Sequence, residues 1–103
     1  MSRIDQINQF LETSPNDSFL QHALALEYIK LGEEERAKIL FETLLKREPG
    51  YIGSYYHLAH LLERLGNRTE AIACYEKGME EAKKAGETHA LNELRAAYEE
   101  LVF

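Results

Sequence analysis

Residues 20–49 read LQHALALEYIKLGEEERAKILFETLLKREP, and residues 54–83 read SYYHLAHLLERLGNRTEAIACYEKGMEEAK, which is the same pattern shifted by 34 positions. The shift superimposes prolines, a Leu-Ala pair, a Leu-Gly pair, alanines and aromatic residues in the same order. The coinciding residues are Pro15 and Pro49, Leu24-Ala25 and Leu58-Ala59, Leu31-Gly32 and Leu65-Gly66, Ala37 and Ala71, and Phe41 and Tyr75. Self-similarity at a fixed period of this length is typical of repeat architectures. The chain is therefore expected to contain two copies of one structural unit.

Within each copy the apolar residues recur every three or four positions, as they do on one face of a helix. In the first copy this stripe consists of Leu20, Leu24, Tyr28 and Leu31. Gly32 is expected to end the helix because glycine tolerates a left-handed backbone. A second helix follows and must stop before Pro49, while Ser18 and Gln21 have the spacing of a capping box for the first helix. The unit is predicted to be a helix, a tight turn and an antiparallel helix.

A helix pair that repeats every 34 residues resembles the tetratricopeptide repeat. The first copy supplies the family pattern with Leu24, Ala25, Tyr28, Gly32, Ala37, Phe41 and Pro49. The second copy supplies Tyr55, Leu58, Ala59, Gly66, Ala71 and Tyr75. The departures are Gln21 at the first large-residue position, Leu62 in place of Tyr, Leu44 and Gly78 in place of the last Ala, and Lys83 in place of the closing Pro.

The resemblance implies an all-α fold, an α-solenoid of antiparallel helix pairs. We expect a single domain, residues 1–103, in which residues 15–49 and 50–86 form two full repeats. The segment 2–14 is expected to be a half-repeat helix, because its apolar residues align with the second helix of the first copy. Residues 87–103 are expected to form a capping helix with Thr88 as its N-cap. Without a closing proline, the last helix of the second copy should continue to about Ala85-Gly86.

Composition excludes several classes of function. Apolar residues make up 45% and charged residues 29% of the 103 residues, the balance of one globular domain. Twelve basic residues against 18 acidic ones give a net charge of −6, which argues against nonspecific binding to nucleic acid or anionic lipid. No segment is long and apolar enough to span a membrane. The single cysteine, Cys74, excludes an internal disulfide and indicates a reducing compartment, so we expect a cytoplasmic protein.

The residues do not predict an enzyme. The sequence has no glycine-rich phosphate loop and no arrangement of a nucleophile with a base, so no cofactor is expected either. Cys74 lies on an apolar helix stripe and is interpreted as a small core thiol. His22, His57 and His60 lie on the first helices of the two repeats, which leaves a zinc or copper site as a remote alternative. A polar groove without metal is the preferred interpretation.

The resemblance implies a concave groove lined by the first helix of each repeat. The residues predicted to bind a partner there are Phe19, His22, Leu26, Ile29, Lys30, Tyr56, His57, His60, Glu63, Arg64 and Asn92. Some family members hold the C-terminal carboxylate of heat-shock chaperones with Lys and Asn residues, but the comparable positions here are His22, Leu26 and His57. An extended peptide or an amphipathic helix of a partner protein is therefore expected. The alternative is that the terminal helix or a second copy covers part of this surface.

Self-assembly is the other hypothesis for function. An unpaired helix at the start of a solenoid exposes the face that a preceding helix would cover, and the last residues of the chain are also apolar. The residues expected to support a homodimer are Ile4, Ile7, Leu11, Leu101 and Phe103.

Overall fold

Six helices form the secondary structure of residues 2–103, the part of the chain that this computed structural model describes. They are α1 (Arg3–Thr13), α2 (Ser18–Lys30), α3 (Glu34–Arg47), α4 (Gly53–Arg64), α5 (Arg68–Ala85) and α6 (Thr88–Val102). No strand occurs within these residues. The all-α helical repeat predicted from the 34-residue pattern is therefore confirmed.

The turn inside each helix pair depends on a glycine. Gly32 follows α2 with a φ of +77°, and Gly66 follows α4 with a φ of +80°. Side chains disfavour this left-handed conformation, whereas glycine adopts it freely. In both turns the amide of the next residue donates to the carbonyl five residues earlier, at 2.9 Å. The predicted end of the first helix at Gly32 is confirmed, and α5 continues to Ala85 as expected for a repeat without the closing proline.

The start of α2 differs from the prediction. Asp17 is the N-cap residue, and its Oδ1 accepts a hydrogen bond from the Leu20 amide at 3.0 Å. A carboxylate at this position satisfies a free amide and interacts favourably with the helix dipole. The predicted capping box of Ser18 and Gln21 is wrong, because both side chains are engaged elsewhere.

The two terminal helices begin in different ways. At α1, the Ser2 hydroxyl accepts from the Asp5 amide at 3.1 Å, while Asp5 Oδ2 accepts from the Ser2 amide at 3.4 Å. This pair is a capping box that the sequence reading missed. At α6 the N-cap is Glu87, without a side-chain hydrogen bond, rather than the expected Thr88.

The chain divides into two compact units, Met1–Glu48 and Pro49–Phe103. In the first unit α2 packs against both α1 and α3. The buried apolar residues of this unit are Ile7, Leu24, Ala25, Ala37, Phe41, Leu44 and Leu45. Ala25 and Ala37 are completely buried, as expected where two helices cross closely and leave no room for a larger side chain.

A partly buried polar cluster joins the start of α2 to the end of α3. Arg47 donates from Nη1 to Gln21 Oε1 at 3.0 Å and from Nη2 to the Ser18 hydroxyl at 2.8 Å. Ser18 in turn donates to Glu48 Oε1 at 3.1 Å, and Gln21 Nε2 donates to the Pro15 carbonyl at 3.0 Å. Burial of Ser18 and Gln21 is tolerated because both side chains are hydrogen-bonded.

In the second unit α5 packs against α4 and α6, which also contact each other. Its buried apolar residues are Tyr55, Leu58, Ala59, Leu61, Leu62, Ala71, Tyr75, Ala82 and Leu94. The Tyr55 hydroxyl donates to the Pro49 carbonyl at 2.6 Å. Tyr55 and Pro49 lie 34 residues after Gln21 and Pro15, so both repeats make a hydrogen bond at the same place with different side chains.

Gly78 lies where α5 approaches α4 and α6 closely. A Cβ atom at this position would lie 2.7 Å from Tyr55 Cβ and 3.1 Å from Leu94 Cδ1. The first distance is shorter than carbon atoms tolerate without displacement of their neighbours. The departure from the family's alanine at position 78 therefore has a steric cause. In the first repeat the equivalent residue is Leu44, which is fully buried.

Candidate functional site

Helix α4 presents three aromatic side chains beside its buried face. The Tyr56 and His60 ring centroids are 4.5 Å apart, and the Tyr56 and His57 centroids are 5.9 Å apart. These separations lie in the range where aromatic rings attract each other. The Tyr56 ring is 37% exposed, while both histidines are half-buried. The three residues were predicted as binding residues, and the structure brings them together within the second unit.

Two adjoining cavities lie between α4 and α6. The larger, of about 350 Å³, is lined by Ile52, Gly53, Tyr56, His57, Ala90, Glu93 and Leu94. The smaller, of about 230 Å³, is lined by Tyr56, His60, Glu93, Ala96, Ala97 and Glu100. Because Tyr56 and Glu93 line both, the two cavities form one continuous depression, which we call the α4–α6 cleft.

The imidazole of His60 carries an unsatisfied polar atom. Its Nε2 is buried and has no hydrogen-bond partner among residues 2–103. The ring instead contacts Tyr56 and Tyr75, the latter with a centroid distance of 6.2 Å. Leaving such an atom unpaired costs about 1–3 kcal/mol. The equivalent residue of the first repeat is Leu26, so packing at this position does not require a polar side chain.

The cleft has an acidic charge pattern. Its ionised residues are Glu93 and Glu100, and no Lys or Arg is among the residues that line either cavity. Burial lowers the pKa of His57, and the nearby His60 lowers it further, so the His57 imidazole is neutral at pH 7. His89 Nε2 lies 3.5 Å from Glu93 Oε1 and can pair with it only when protonated.

Glu63, a predicted binding residue, has a partner inside the unit. Its Oε2 accepts a hydrogen bond of 2.5 Å from the hydroxyl of Tyr75, a completely buried residue. Burial, and then the hydrogen bond to Glu63, raises the pKa of Tyr75, so the hydroxyl remains a donor. The equivalent pair in the first repeat is Ile29 and Phe41. The simultaneous change of both residues between repeats is a sequence signal for this contact.

The predicted binding residues of α2 lie in the first unit. They are Phe19, His22, Leu26, Ile29 and Lys30. The Phe19 ring is 69% exposed, and the Lys30 ammonium lies 3.3 Å from Glu27 Oε1. The His22 ring contacts Phe41 edge-on at a centroid distance of 5.6 Å. The remaining two are half-buried.

Two other predicted residues lie outside both cavities. Asn92 is exposed, and its Oδ1 accepts a hydrogen bond from Arg95 at 3.5 Å. Arg64 is exposed in the last turn of α4. Glu93, one residue after Asn92, is among the α6 residues that line the cleft, whereas Asn92 is not. Positions three and four apart share a helix face, and this spacing would have identified positions 90, 93, 94 and 97 together.

The residues predicted for self-association differ in exposure. Ile7 is only 6% exposed on α1, which packs against α2, so the expectation that it faces solvent is wrong. Phe103 is 97% exposed. The half-buried residues are Ile4, Leu11 and Leu101. Phe10, which the sequence reading missed, is the large exposed apolar residue of α1.

Residues 2–103 contain neither a cluster of potential metal ligands nor a membrane-spanning helix. No group of three or more His, Cys, Asp or Glu side chains within this range is arranged to hold a metal ion. The half-buried Cys74 thiol lies 3.5 Å from the Tyr55 carbonyl oxygen. No helix in the described part of the chain has the length and apolarity needed to cross a membrane.

Solved structures resemble this fold closely. The solution structure of a tetratricopeptide repeat domain protein from Salinibacter ruber shares 41% sequence identity, with a TM-score of 0.82 over 85% of this chain and 89% of that one. The TPR2B domain of yeast Sti1, solved as a complex with pHsp70, has a TM-score of 0.87 over 95% of this chain and 78% of that one. Its identity is 12%, so this likeness concerns the fold alone.

Sequence comparisons identify the family. Interferon-induced protein with tetratricopeptide repeats 3 of Mus musculus is 26% identical over 76 residues, which is 74% of this chain but 19% of the mouse protein. This chain thus matches about a fifth of that relative's length. The sequence profile of the tetratricopeptide repeat matches residues 20–51 and 52–85. The chain therefore belongs to the tetratricopeptide repeat family, whose domains typically mediate protein–protein interaction.

Proposed function

We propose that this domain is a non-catalytic module that binds a peptide or helical segment of a partner protein in the α4–α6 cleft. The observation that carries the proposal is the pair of adjoining cavities that share Tyr56 and Glu93. Cavities of about 350 and 230 Å³ side by side suit two neighbouring side chains of one segment. Concave sites with a mostly apolar lining and few polar groups are typical binding sites.

The chemistry of the lining also supports a protein ligand. Tyr56 offers a large, partly exposed ring of the kind that dominates binding energy at protein interfaces. Ala90, Ala96 and Ala97 have short side chains, which lets a ligand backbone approach α6 closely. The yeast domain of the same fold, solved in complex with pHsp70, gives a precedent for binding a protein.

The exposed surface of α2 extends the proposal to the first unit. Phe19, His22, Leu26, Ile29 and Lys30 were predicted as binding residues, and we propose that they form a second contact surface. Phe19 is 69% exposed and supports this, because covering its ring with a partner would remove apolar area from water.

A matched pair of variants tests the cleft. Ala96→Trp places a large neutral side chain in the smaller cavity, whereas Ala73→Trp makes the same change at an exposed alanine of α5 that is not among the lining residues. Both proteins should keep the helical circular dichroism of wild type. We expect proteins captured from a lysate by wild type and Ala73→Trp to be lost from Ala96→Trp. Equal capture by both variants would contradict binding in the cleft.

Homodimerisation is the second candidate function, favoured by the exposed ring of Phe103 beside the half-buried Leu101. If this end forms the interface, Phe103→Glu should convert a dimer into a monomer in light scattering. Ile39→Glu, the same change at an exposed apolar residue of α3 outside the proposed surfaces, is the control. A monomeric wild type, or a dimer that survives Phe103→Glu, would contradict this interface.

A further inference from the structure

We infer that the segment bound in the α4–α6 cleft is cationic and carries a Lys or Arg next to a large apolar residue. The inference rests on the proposed function, since it names the chemistry of the partner at that same site. It follows from the different linings of the two adjoining cavities.

The larger cavity suits the apolar residue of the segment. Leu94, which is only 1% exposed, lines this cavity, and the half-buried Ile52 and Ala90 contribute further apolar surface. The Tyr56 ring completes the lining, together with His57, whose burial favours the uncharged imidazole. An apolar side chain placed here is stabilised by removal of apolar area from water.

The smaller cavity suits the basic residue. Glu93 and Glu100 are seven positions apart on α6, so both carboxylates lie on one face of the helix. Between them, Ala96, Ala97 and the Tyr56 ring form an apolar strip. Lys and Arg side chains lay their aliphatic stems on such a strip and extend the charged head to a carboxylate. The face of the Tyr56 ring attracts the same cation.

Charge complementarity decides between a basic and an acidic segment. The basic residues of the two helices, Arg64 and Arg95, are outside both cavities, and Arg95 donates to Asn92 instead. The exposed His89 next to Glu93 is the competing cation of α6 and binds only in its protonated form. An acidic segment would meet two like charges without a basic group in the lining. The net charge of −6 adds long-range attraction for a cationic partner.

A second copy of this chain is the competing occupant. The apolar residues Leu101-Val102-Phe103 contain no Lys or Arg to meet Glu93 and Glu100. Such an occupant would leave the carboxylates unmatched, which is why the inference commits to a basic partner segment.

A random peptide library displayed on phage tests the inference without assuming a sequence. Selection on the full wild-type chain, with binders to Ala96→Trp removed, should enrich peptides in which Lys or Arg adjoins a large apolar residue. Enrichment of neutral or acidic peptides would overturn the cationic inference while leaving the cleft as a binding site. Failure to enrich any peptide over Ala96→Trp would overturn both.

The affinity of a selected basic peptide then tests the two carboxylates. Glu93→Gln with Glu100→Gln should weaken binding about tenfold, because two charge-assisted contacts are lost. Glu70→Gln with Glu99→Gln removes two charges from exposed positions outside the lining and should change affinity by less than about twofold. An equal loss in both double variants would reduce the effect to overall charge and overturn the inference. A wild-type dimer that Ala96→Trp makes monomeric would also overturn it, since a second copy would then occupy the cleft.

Discussion

The helix pairs α2–α3 and α4–α5 share a backbone pattern but differ in what they bury. Phe41 of the first pair is replaced by Tyr75 in the second, and Ile29 is replaced by Glu63, which accepts the Tyr75 hydroxyl. The first repeat is held at these positions by packing alone. The second places a carboxylate and a hydroxyl there, and this costs free energy unless the two groups remain paired.

At two further positions the first repeat has a leucine and the second repeat has a residue that is not apolar or has no side chain. Leu26 corresponds to His60, which has an unsatisfied nitrogen, and the fully buried Leu44 corresponds to Gly78. Each change replaces an apolar side chain with a polar one or with none. The α4–α6 cleft therefore lies beside the repeat with fewer apolar side chains at these positions, and such departures from the most stable choice are typical of functional sites.

The largest expected effect comes from giving the first repeat the glycine of the second. Leu44→Gly removes a fully buried side chain and adds backbone freedom, so the free energy of unfolding should fall by about 3–6 kcal/mol. Urea unfolding followed by circular dichroism measures the change. Ile39→Gly on the same helix is the control, because Ile39 is exposed and should lose only about 1 kcal/mol. Equal losses would show that burial of Leu44 contributes nothing.

A Cβ atom at Gly78 tests the close approach of α5 from the other side. Gly78→Ala should destabilise the protein by about 1–3 kcal/mol through overlap with Tyr55 and Leu94, although alanine is the better helix former. Gly53→Ala is the control, because a Cβ there meets nothing within 4 Å. That control should be neutral or more stable by up to about 1 kcal/mol. A gain in stability from Gly78→Ala would refute the steric explanation.

The pairing of Glu63 with Tyr75 can be measured by a double-mutant cycle. Tyr75→Phe should cost about 1–2 kcal/mol, since the buried side of the Glu63 carboxylate loses its donor. Glu63→Ile should also be destabilising, because it leaves the Tyr75 hydroxyl without its acceptor. The double variant, which has the residue pair of the first repeat, should recover about 1 kcal/mol relative to the sum of the single changes. Strict additivity would mean that the hydrogen bond is not coupled to folding.

Alkaline pH should affect the second repeat through its buried tyrosines. Burial, with smaller contributions from Glu81 and other neighbouring charges, raises the pKa of Tyr55 from 10.0 to about 12, and the pKa of Tyr75 is raised as well. The stabilisation from both hydroxyls is fully present below pH 10. It is lost as pH rises, because these tyrosines ionise at a lower pH in the unfolded chain than in the folded protein. The urea midpoint should therefore fall between about pH 10 and about pH 12, and less steeply in Tyr75→Phe. Parallel slopes would contradict the role of Tyr75.

The smallest effect on stability is expected at His60. His60→Leu introduces the residue of the first repeat and removes the unsatisfied Nε2, so stability should rise by up to about 1 kcal/mol. Capture of partner proteins should fall at the same time, because His60 lines the smaller cavity. Thermal unfolding and lysate capture measure the two effects. A less stable variant would contradict the cost assigned to the unsatisfied Nε2. A variant that binds as well as wild type would separate His60 from the proposed function.

Local features of the fold were predictable from sequence. The ends of the paired helices depend on Gly32 and Gly66, whose backbone preference acts within a few residues, and both were identified. The role of Ser18 was not, because it is set by Arg47 and Glu48 at the far end of the next helix. A spacing rule that considers only neighbouring residues selects the capping box in such a case.

The candidate site shows the same division. Tyr56, His57 and His60 were predictable because the repeat pattern assigns the other face of α4 to packing, so these residues remain available for binding. Glu93 and Glu100 were missed because they depend on how α6 is rotated against α4, and α6 follows the repeat only after a shift of two residues. Ile7 was assigned to the surface because the packing of α1 on α2 was not apparent from the apolar spacing.

The hydrogen bonds from Gln21 to Pro15 and from Tyr55 to Pro49 have a consequence for how such repeats diverge. What the two copies share at this position is a bond to one carbonyl oxygen, while the amino acid that makes it is an amide in one copy and a phenol in the other. Residue-by-residue scoring treats Gln21 as a mismatch although the interaction is intact. Repeats of this kind are therefore related by the contacts they preserve, and a helix pair without the expected aromatic can still be a complete copy.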